Sequence, residues 1–283
     1  MNIADKIFIQ NLLGIKSRGV LDVNPRPKYI DGTPAHTKYI TQVFEEYDLN
    51  DPLQFPCQTY RNTAVKTGIR EIFWIYQRGS NSLKEAREMG VNWWDSWNIG
   101  DDTIGTCYGY TVKTHDLMNK LLDGLKNNPF GRRHIINLFQ DADLQQKHAL
   151  DPCCYETIWS VRNVDGTMFL DMTLMQRSSD YLVANYVNKT QYVALQMMVA
   201  SHCGYKPGKF CHFVQNVHIY DRHEPALNEI LDRTPLSEQG IQPHFYIREE
   251  SLGKNFYDYT LEDFVFVDFN KIPKIESELE LAI

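Results

Sequence analysis

From Thr63 to Gln77 the apolar residues Val65, Ile69, Ile72, Phe73 and Tyr76 fall on one side of a 3.6-residue period, which predicts an amphipathic helix. Asn62 is placed to cap it and Gly79 to stop it. Leu117, Met118, Leu121, Leu122 and Leu125 predict a second such helix, ended by "NNPFG". Between Gln191 and Cys203, "QYVALQMMVASHC" is apolar nearly all round, the mark of a helix buried in the centre and ended by Gly204. Strand signals lie between these helices. "RRHIINLF" begins one strand, while "ETIWSVR" and "TMFLDMTLM" flank Asp165-Gly166, a hairpin turn signal. Met168, Leu170, Met172 and Leu174 alternate onto one face, and in "FVQNVHIY" Val217 and Ile219 oppose His218 and Tyr220. Helices intermixed with hairpins around a central sheet predict an α+β fold.

Composition narrows this little. The 283 residues, 43% of them hydrophobic, suffice for a large core, and no repeat or linker divides them, so a single domain over 1–283 is expected. "DRTPLSEQGIQP" reads as a surface loop. A net charge of −7 argues against nucleic-acid and acidic-membrane partners, so any anionic ligand must be small and locally held. Six cysteines without a CxxC pair and an N-terminus without a signal-peptide pattern point to the cytosol. No apolar run approaches the roughly 20 residues that span a bilayer.

Chemistry centres on "DPCCYE", where either Cys153 or Cys154 could serve as a nucleophile if nearby cations favour the thiolate. A buried structural cysteine is the commoner fate of any one such residue, and the local sequence does not choose between the two. Arg132-Arg133 and Arg177-Ser178 offer forks and a hydroxyl for an anion; an exposed charged pair is the plain alternative. His218 and Tyr220 could meet a ligand hydroxyl or could be core residues. Glu71, in an otherwise apolar helix beside Trp74, is either a solvated residue or a pocket acid of raised pKa. His202, Cys203, Cys211 and His212 are potential zinc ligands of a non-catalytic module, but adjacent strand residues point to opposite faces. A Cys-dependent hydrolase is a further alternative.

Taken in order, "DGTPAHT", "IREIFWIYQRGSN", "WWDSW", "GTCYGY", "NNPFGRRHI", "DPCCYETIWSV", "MQRSSDYLVANYVNKTQY", "QNVHIYDRH" and the ending "ELAI" resemble the thymidylate synthase family along the whole chain. The resemblance implies that family's fold, with a mixed sheet whose outer face meets a second copy in a homodimer. It implies conversion of dUMP to dTMP with 5,10-methylenetetrahydrofolate as cosubstrate, and no metal. Cys153 matches the nucleophile, and Cys154 a variable position. Arg26, Arg177 and Ser178 match groups that hold the phosphate, with Arg132 and Arg133 reaching it from the other subunit. His218 and Tyr220 match the pair on the deoxyribose hydroxyl, and Asn188 the reader of the pyrimidine edge. Glu71 matches the carboxylate that manages proton transfer, and Tyr108 the phenol near the nucleophile. Trp94, Trp97 and Asp180 match folate contacts, Asp180 also lying beside the nucleotide, and Ile283 matches the closing tail. Val183 to Val187 replace the usual Gly and Pro-Phe before the asparagine, and Gln215-Asn216 replace Gly-Asp. A pyrimidine-nucleotide hydroxymethylase of the same fold, acting on dUMP or dCMP, is the nearest alternative.

Overall fold

The computed structural model describes residues 1–283. Asn2 accepts the backbone N–H of Asp5 and so starts helix α1 (Ile3–Arg18), which is followed by strands β1 (Val20–Leu21) and β2 (Thr37–Asp48). The next helix does not start beside Asn62, whose N–H donates instead to the Pro273 carbonyl at 2.8 Å. Helix α2 (Val65–Ile72) begins after Ala64 without a side-chain cap. It runs into a π-helical turn, Phe73–Gln77, closed by Arg78 N–H on the Phe73 carbonyl at 2.9 Å. The wider turn abandons the one-sided stripe, so Phe73, Trp74, Ile75 and Tyr76 are all buried. Gly79, at φ +57°, ends it; a Cβ there would meet Lys113 at 2.8 Å.

Helices α3 (Leu83–Glu88), α4 (Gly109–Thr114) and α5 (Leu117–Asn127) follow, and α5 buries Met118, Leu121, Leu122 and Leu125, as its periodicity predicts. After strand β3 (His134–Asn137) and helix α6 (Asp141–Leu144), strands β4 (Cys154–Val164) and β5 (Thr167–Gln176) form the expected hairpin. Asp165 and Gly166 both take positive φ, 49° and 85°, as a type I′ turn demands. Strand β6 (Ser179–Asp180) leads into α7 (Asn185–Cys203), which starts earlier than its apolar stretch because Lys189 and Thr190, polar in sequence, are themselves fully buried. Strand β7 (Lys206–Tyr220), helix α8 (Glu224–Leu231) and a small pair, β8 (His244–Ile247) with β9 (Phe264–Val267), complete the chain.

The large sheet has the order β1-β2-β7-β5-β4-β3, with β6 beside β7. Strands β5 and β6 run parallel to β7 and the remaining pairs are antiparallel, which makes the sheet mixed. Leu170, Met172 and Leu174 turn to the buried face, and α7 packs there. The other face carries cross-strand rows of apolar side chains. Phe44, Phe213 and Met175 stand opposite one another, as do Ile135, Ile158, Thr173 and Cys211. Phe44 and Ile135 are 59% and 47% exposed.

The segment read as a surface loop is anchored in the core: Ser237 is buried, accepts the Asn2 N–H at 3.1 Å and donates to the Asp5 carboxylate. The four potential zinc ligands do not converge. His202 Nδ1 accepts the Phe256 N–H at 3.0 Å, His212 Nε2 bonds Gln176 Oε1 at 2.8 Å, and no three His, Cys, Asp or Glu side chains cluster as a metal site. No helix is long and apolar enough to cross a membrane.

Candidate active site

One cleft of about 1200 Å³ opens where β4, β5 and the start of α7 approach α2 and the C-terminus. It brings together Arg26, Glu71, Trp94, Trp97, Tyr108, Cys153, Arg177, Ser178, Asp180, Asn188, His218, Tyr220 and Ile283. Of the site residues expected from the sequence, only Arg132 and Arg133 are missing; both are exposed in the turn between α5 and β3.

Cys153 precedes the irregular start of β4, where the register with β5 shifts between Cys154 and Glu156. Its carbonyl accepts the Arg177 N–H at 2.9 Å, and its own N–H donates to Tyr108 Oη at 3.0 Å. The Arg177 guanidinium wraps the same turn, donating from Nε to Pro152 O at 3.1 Å and from a terminal nitrogen to Asp151 O at 2.7 Å. Burial pushes the Cys153 thiol above its ordinary value, with Arg177 and then Arg26 opposing it as cations and Asp151 adding to the rise. Cys154, the next residue, is fully enclosed, and burial pushes its thiol much further up.

Tyr108 holds φ 49° and ψ −109°, a backbone state costing about 1–3 kcal/mol for a side-chain-bearing residue. The following glycine makes this turn possible: a Cβ on Gly109 would lie 2.0 Å from Ser80 O. The strained turn aims the phenol at the Cys153 amide. Trp94 packs edge-on against the Tyr108 ring at 5.2 Å and against Trp97 at 5.5 Å, forming an aromatic wall.

Glu71 lies at the end of α2, buried to 7% exposure. Trp93 Nε1, which the sequence reading passed over for its neighbour Trp94, donates to its carboxylate. Burial pushes the Glu71 pKa up to about 7, against the opposing pull of the indoles and of Gln191. The Trp94 N–H approaches without closing a hydrogen bond and is left as a buried donor at the cleft wall.

Asn188 Oδ1 accepts from Gln176 Nε2 at 3.1 Å, while its Nδ2 donates to Gln191 Oε1 at 3.0 Å. Gln176 entered the sequence reading only as part of the motif around Arg177, and Gln191 only as the start of an apolar helix, although it sits one helical turn after Asn188. His218 and Tyr220 share a strand face with ring centres 5.3 Å apart, and His218 Nδ1 bonds Asn216 Oδ1 at 3.0 Å, the residue standing where Asp is usual. Burial keeps the His218 imidazole below its ordinary pKa, with Asp180 opposing. Asp180 Oδ1 caps the turn before α7, accepting the N–H groups of Leu182 and Val183 at 3.1 Å each. Among the replacements before Asn188, Val183, Ala184 and Val187 line the cleft, whereas Tyr186 turns into the core and its hydroxyl bonds Ala4 O. The C-terminus is laced to the loop of Arg26: Lys28 N–H donates to Ile283 O at 2.9 Å, and Ile283 N–H to Lys28 O at 3.0 Å.

The family model described as thymidylate synthase matches residues 6–281. A thymidylate synthase of Streptococcus pneumoniae (strain 70585) is 45% identical over the full length of both chains, as is one of Lactococcus lactis subsp. lactis (strain IL1403). Among solved structures, thermostable thymidylate synthase A from Bacillus subtilis superposes with a TM-score of 0.87 at 32% identity, covering 99% of each chain. With its mixed sheet, its cleft and its full-length match, the chain belongs to the thymidylate synthase family.

Proposed function

We propose that the chain methylates dUMP to dTMP, with 5,10-methylenetetrahydrofolate as the cosubstrate and Cys153 as the nucleophile. The observation that carries this reading is the convergence, in one cleft, of a half-buried thiol between arginines and a carboxyl group poised near neutrality. Such a thiolate adds to C6 of the uracil ring, and the electron pair moves to C5, which becomes nucleophilic toward a one-carbon unit. Loss of the C5 proton expels the folate from the bridging carbon and leaves an exocyclic methylene at C5. Hydride from the departing tetrahydrofolate reduces that methylene to a methyl group, leaving dihydrofolate, as the Cys153–C6 bond breaks to restore the pyrimidine and the thiolate.

Arg26, Arg177 and Ser178 hold the phosphate, His218 and Tyr220 the sugar hydroxyl, and Asn188 the pyrimidine edge. Glu71, half protonated near pH 7, moves protons at the base. Trp94, Trp97, Val183 and Val187 give an apolar wall against which a pterin can pack, with the unpartnered Trp94 N–H and Asp180 as polar handles. Ile283 closes the cleft against water.

A second copy completes the site. Burial raises the Cys153 thiol against the opposing pull of Arg177 and Arg26, and the exposed Arg132 and Arg133 add positive charge from a partner. The apolar rows of the outer sheet face form the seam between the copies.

Incubation with dUMP and methylenetetrahydrofolate should yield dTMP and dihydrofolate in equal amounts. A 5-hydroxymethyl nucleotide with tetrahydrofolate would instead identify a hydroxymethylase. Trapping with 5-fluoro-dUMP and the folate, followed by peptide mass spectrometry, should mark Cys153; a label on Cys154 would overturn its assignment.

A further inference from the structure

His212 is fully buried in the middle of β7, its ring stacked on Phe210 at a centroid distance of 6.2 Å. It lies outside the cleft lining, and its Nδ1 has no partner. Its other nitrogen faces Gln176 Oε1 at 2.8 Å. The direction of that hydrogen bond follows from the far end of the same amide. Gln176 Nε2 lies 2.9 Å from the Ser178 carbonyl, which only accepts, so the NH₂ end points there and Oε1 points to the histidine. His212 Nε2 must therefore carry the proton and donate.

The same logic runs on through the next two amides. The second N–H of Gln176 goes to Asn188 Oδ1, which leaves Asn188 Nδ2 to donate to Gln191 Oε1. Every donor points the same way, from His212 through Gln176 and Asn188 to Gln191. Asn188 is left with one lone pair on its oxygen and one free N–H, which match the N3–H and O4 of uracil. To suit cytosine the Asn188 amide would have to turn over. That places its NH₂ against the Gln176 NH₂ and its oxygen against the Gln191 oxygen, unless the neighbouring amides turn too. Gln176 cannot follow, because the Ser178 carbonyl and the His212 N–H hold its two ends.

We infer that His212 is a positioning residue for base selection: its Nε2–H locks Gln176, which in turn fixes the end of the Asn188 amide offered to the pyrimidine. The inference rests on the proposal that Asn188 reads the base. Burial, and beside it the Lys189 ammonium, both act against protonation of the ring and lower the His212 pKa. A neutral ring with a single N–H is a fixed donor.

The test measures kcat/KM for dUMP and dCMP in the wild type, His212→Phe, His212→Gln and Asn188→Asp. Phenylalanine keeps a ring but removes the donor, so the preference for dUMP should fall by about tenfold, mainly through lower dUMP turnover. Glutamine can donate from nearly the same place and should restore the preference to within about threefold. If Asn188→Asp shifts the ratio and His212→Phe does not, the positioning role is wrong while the reader stands. If Asn188→Asp leaves the ratio unchanged, the reader itself is wrong, and the inference falls with it. Should the His212 variants fail to fold, ¹⁵N spectra of histidine-labelled intact enzyme still decide: a ring protonated on Nε2 supports the lock, and one protonated on Nδ1 overturns it.

Discussion

Because Glu71 is enclosed by Trp93, Trp94 and apolar walls, the folded chain holds its proton more tightly than the unfolded chain does. Its pKa rises from the ordinary carboxylate range to about 7, so between those values the folded state binds the extra proton, and stability falls as pH rises. Glu71→Gln keeps an acceptor for Trp93 but has no charge to bury. The variant should match the wild type in thermal melts near about pH 4.5 and exceed it near about pH 8, by on the order of 3 kcal/mol, while losing turnover. Equal melts at both pH values would show that the carboxylate is not desolvated. Single residues were legible in the sequence where they carry their own chemistry: Cys153, Arg177, His218 and Glu71 all reach the cleft. Trp93 and Gln191 were not, Gln176 was only part of a matching motif, and His212 stood out only as a candidate zinc ligand, because holding another side chain leaves no mark in the local sequence. Gln176 and His212 are 36 positions apart, and nothing short of the β5–β7 register announces that they touch.

Elements were legible where one physical preference dominated. The Asp165-Gly166 turn and the alternation of β5 leave little choice, and the stripe of α5 is clean. The start of α7 was hidden, since Lys189 looks like a surface residue until its partners are known. Its ammonium pairs with the Glu45 carboxylate and lies 3.9 Å from the Tyr186 ring centre, while Asn11 and Tyr47 complete the carboxylate's bonds. Burial lowers the Lys189 pKa and Glu45 raises it in return. Lys189→Met leaves a buried carboxylate unpaired and should lower stability by about 3–5 kcal/mol in urea unfolding. Combining it with Glu45→Gln should recover most of that loss, because the pair is held at a desolvation cost that neutral groups avoid. A double variant as unstable as the single one would mean that the aromatic cage, rather than the charge, sets the start of α7. The π-turn after α2 was equally hidden, its apolar residues fitting either helical period over so short a run.

At the scale of the whole molecule, Arg132 and Arg133 were placed in the site by family pattern, and no single-chain contact brings them there. The proposed sharing of sites has a direct consequence for mixtures. An Arg132→Glu chain and a Cys153→Ala chain, each inactive alone, should regain up to about a quarter of wild-type activity after subunit exchange, because a random mixture makes half its dimers hybrid and one of the two sites in each hybrid is intact. Exchange verified by mass spectrometry with no activity regained would place both arginines outside the partner's site.

The two hydrogen bonds between Lys28 and Ile283 tie the last residue of the chain to the loop that carries Arg26 two positions upstream. The tail and Arg26, the proposed phosphate ligand, are thereby one mechanical unit, and linkage makes their coupling reciprocal. Nucleotide that draws Arg26 inward favours the docked tail, and anything that pulls the tail away must loosen the nucleotide. A purification tag is such a pull. Fused after Ile283, it adds a freely moving chain that resists docking. The C-terminally tagged enzyme should therefore bind dUMP more weakly than the same enzyme tagged at Met1, by several-fold in titration calorimetry. Equal affinities would show that tail and loop move independently.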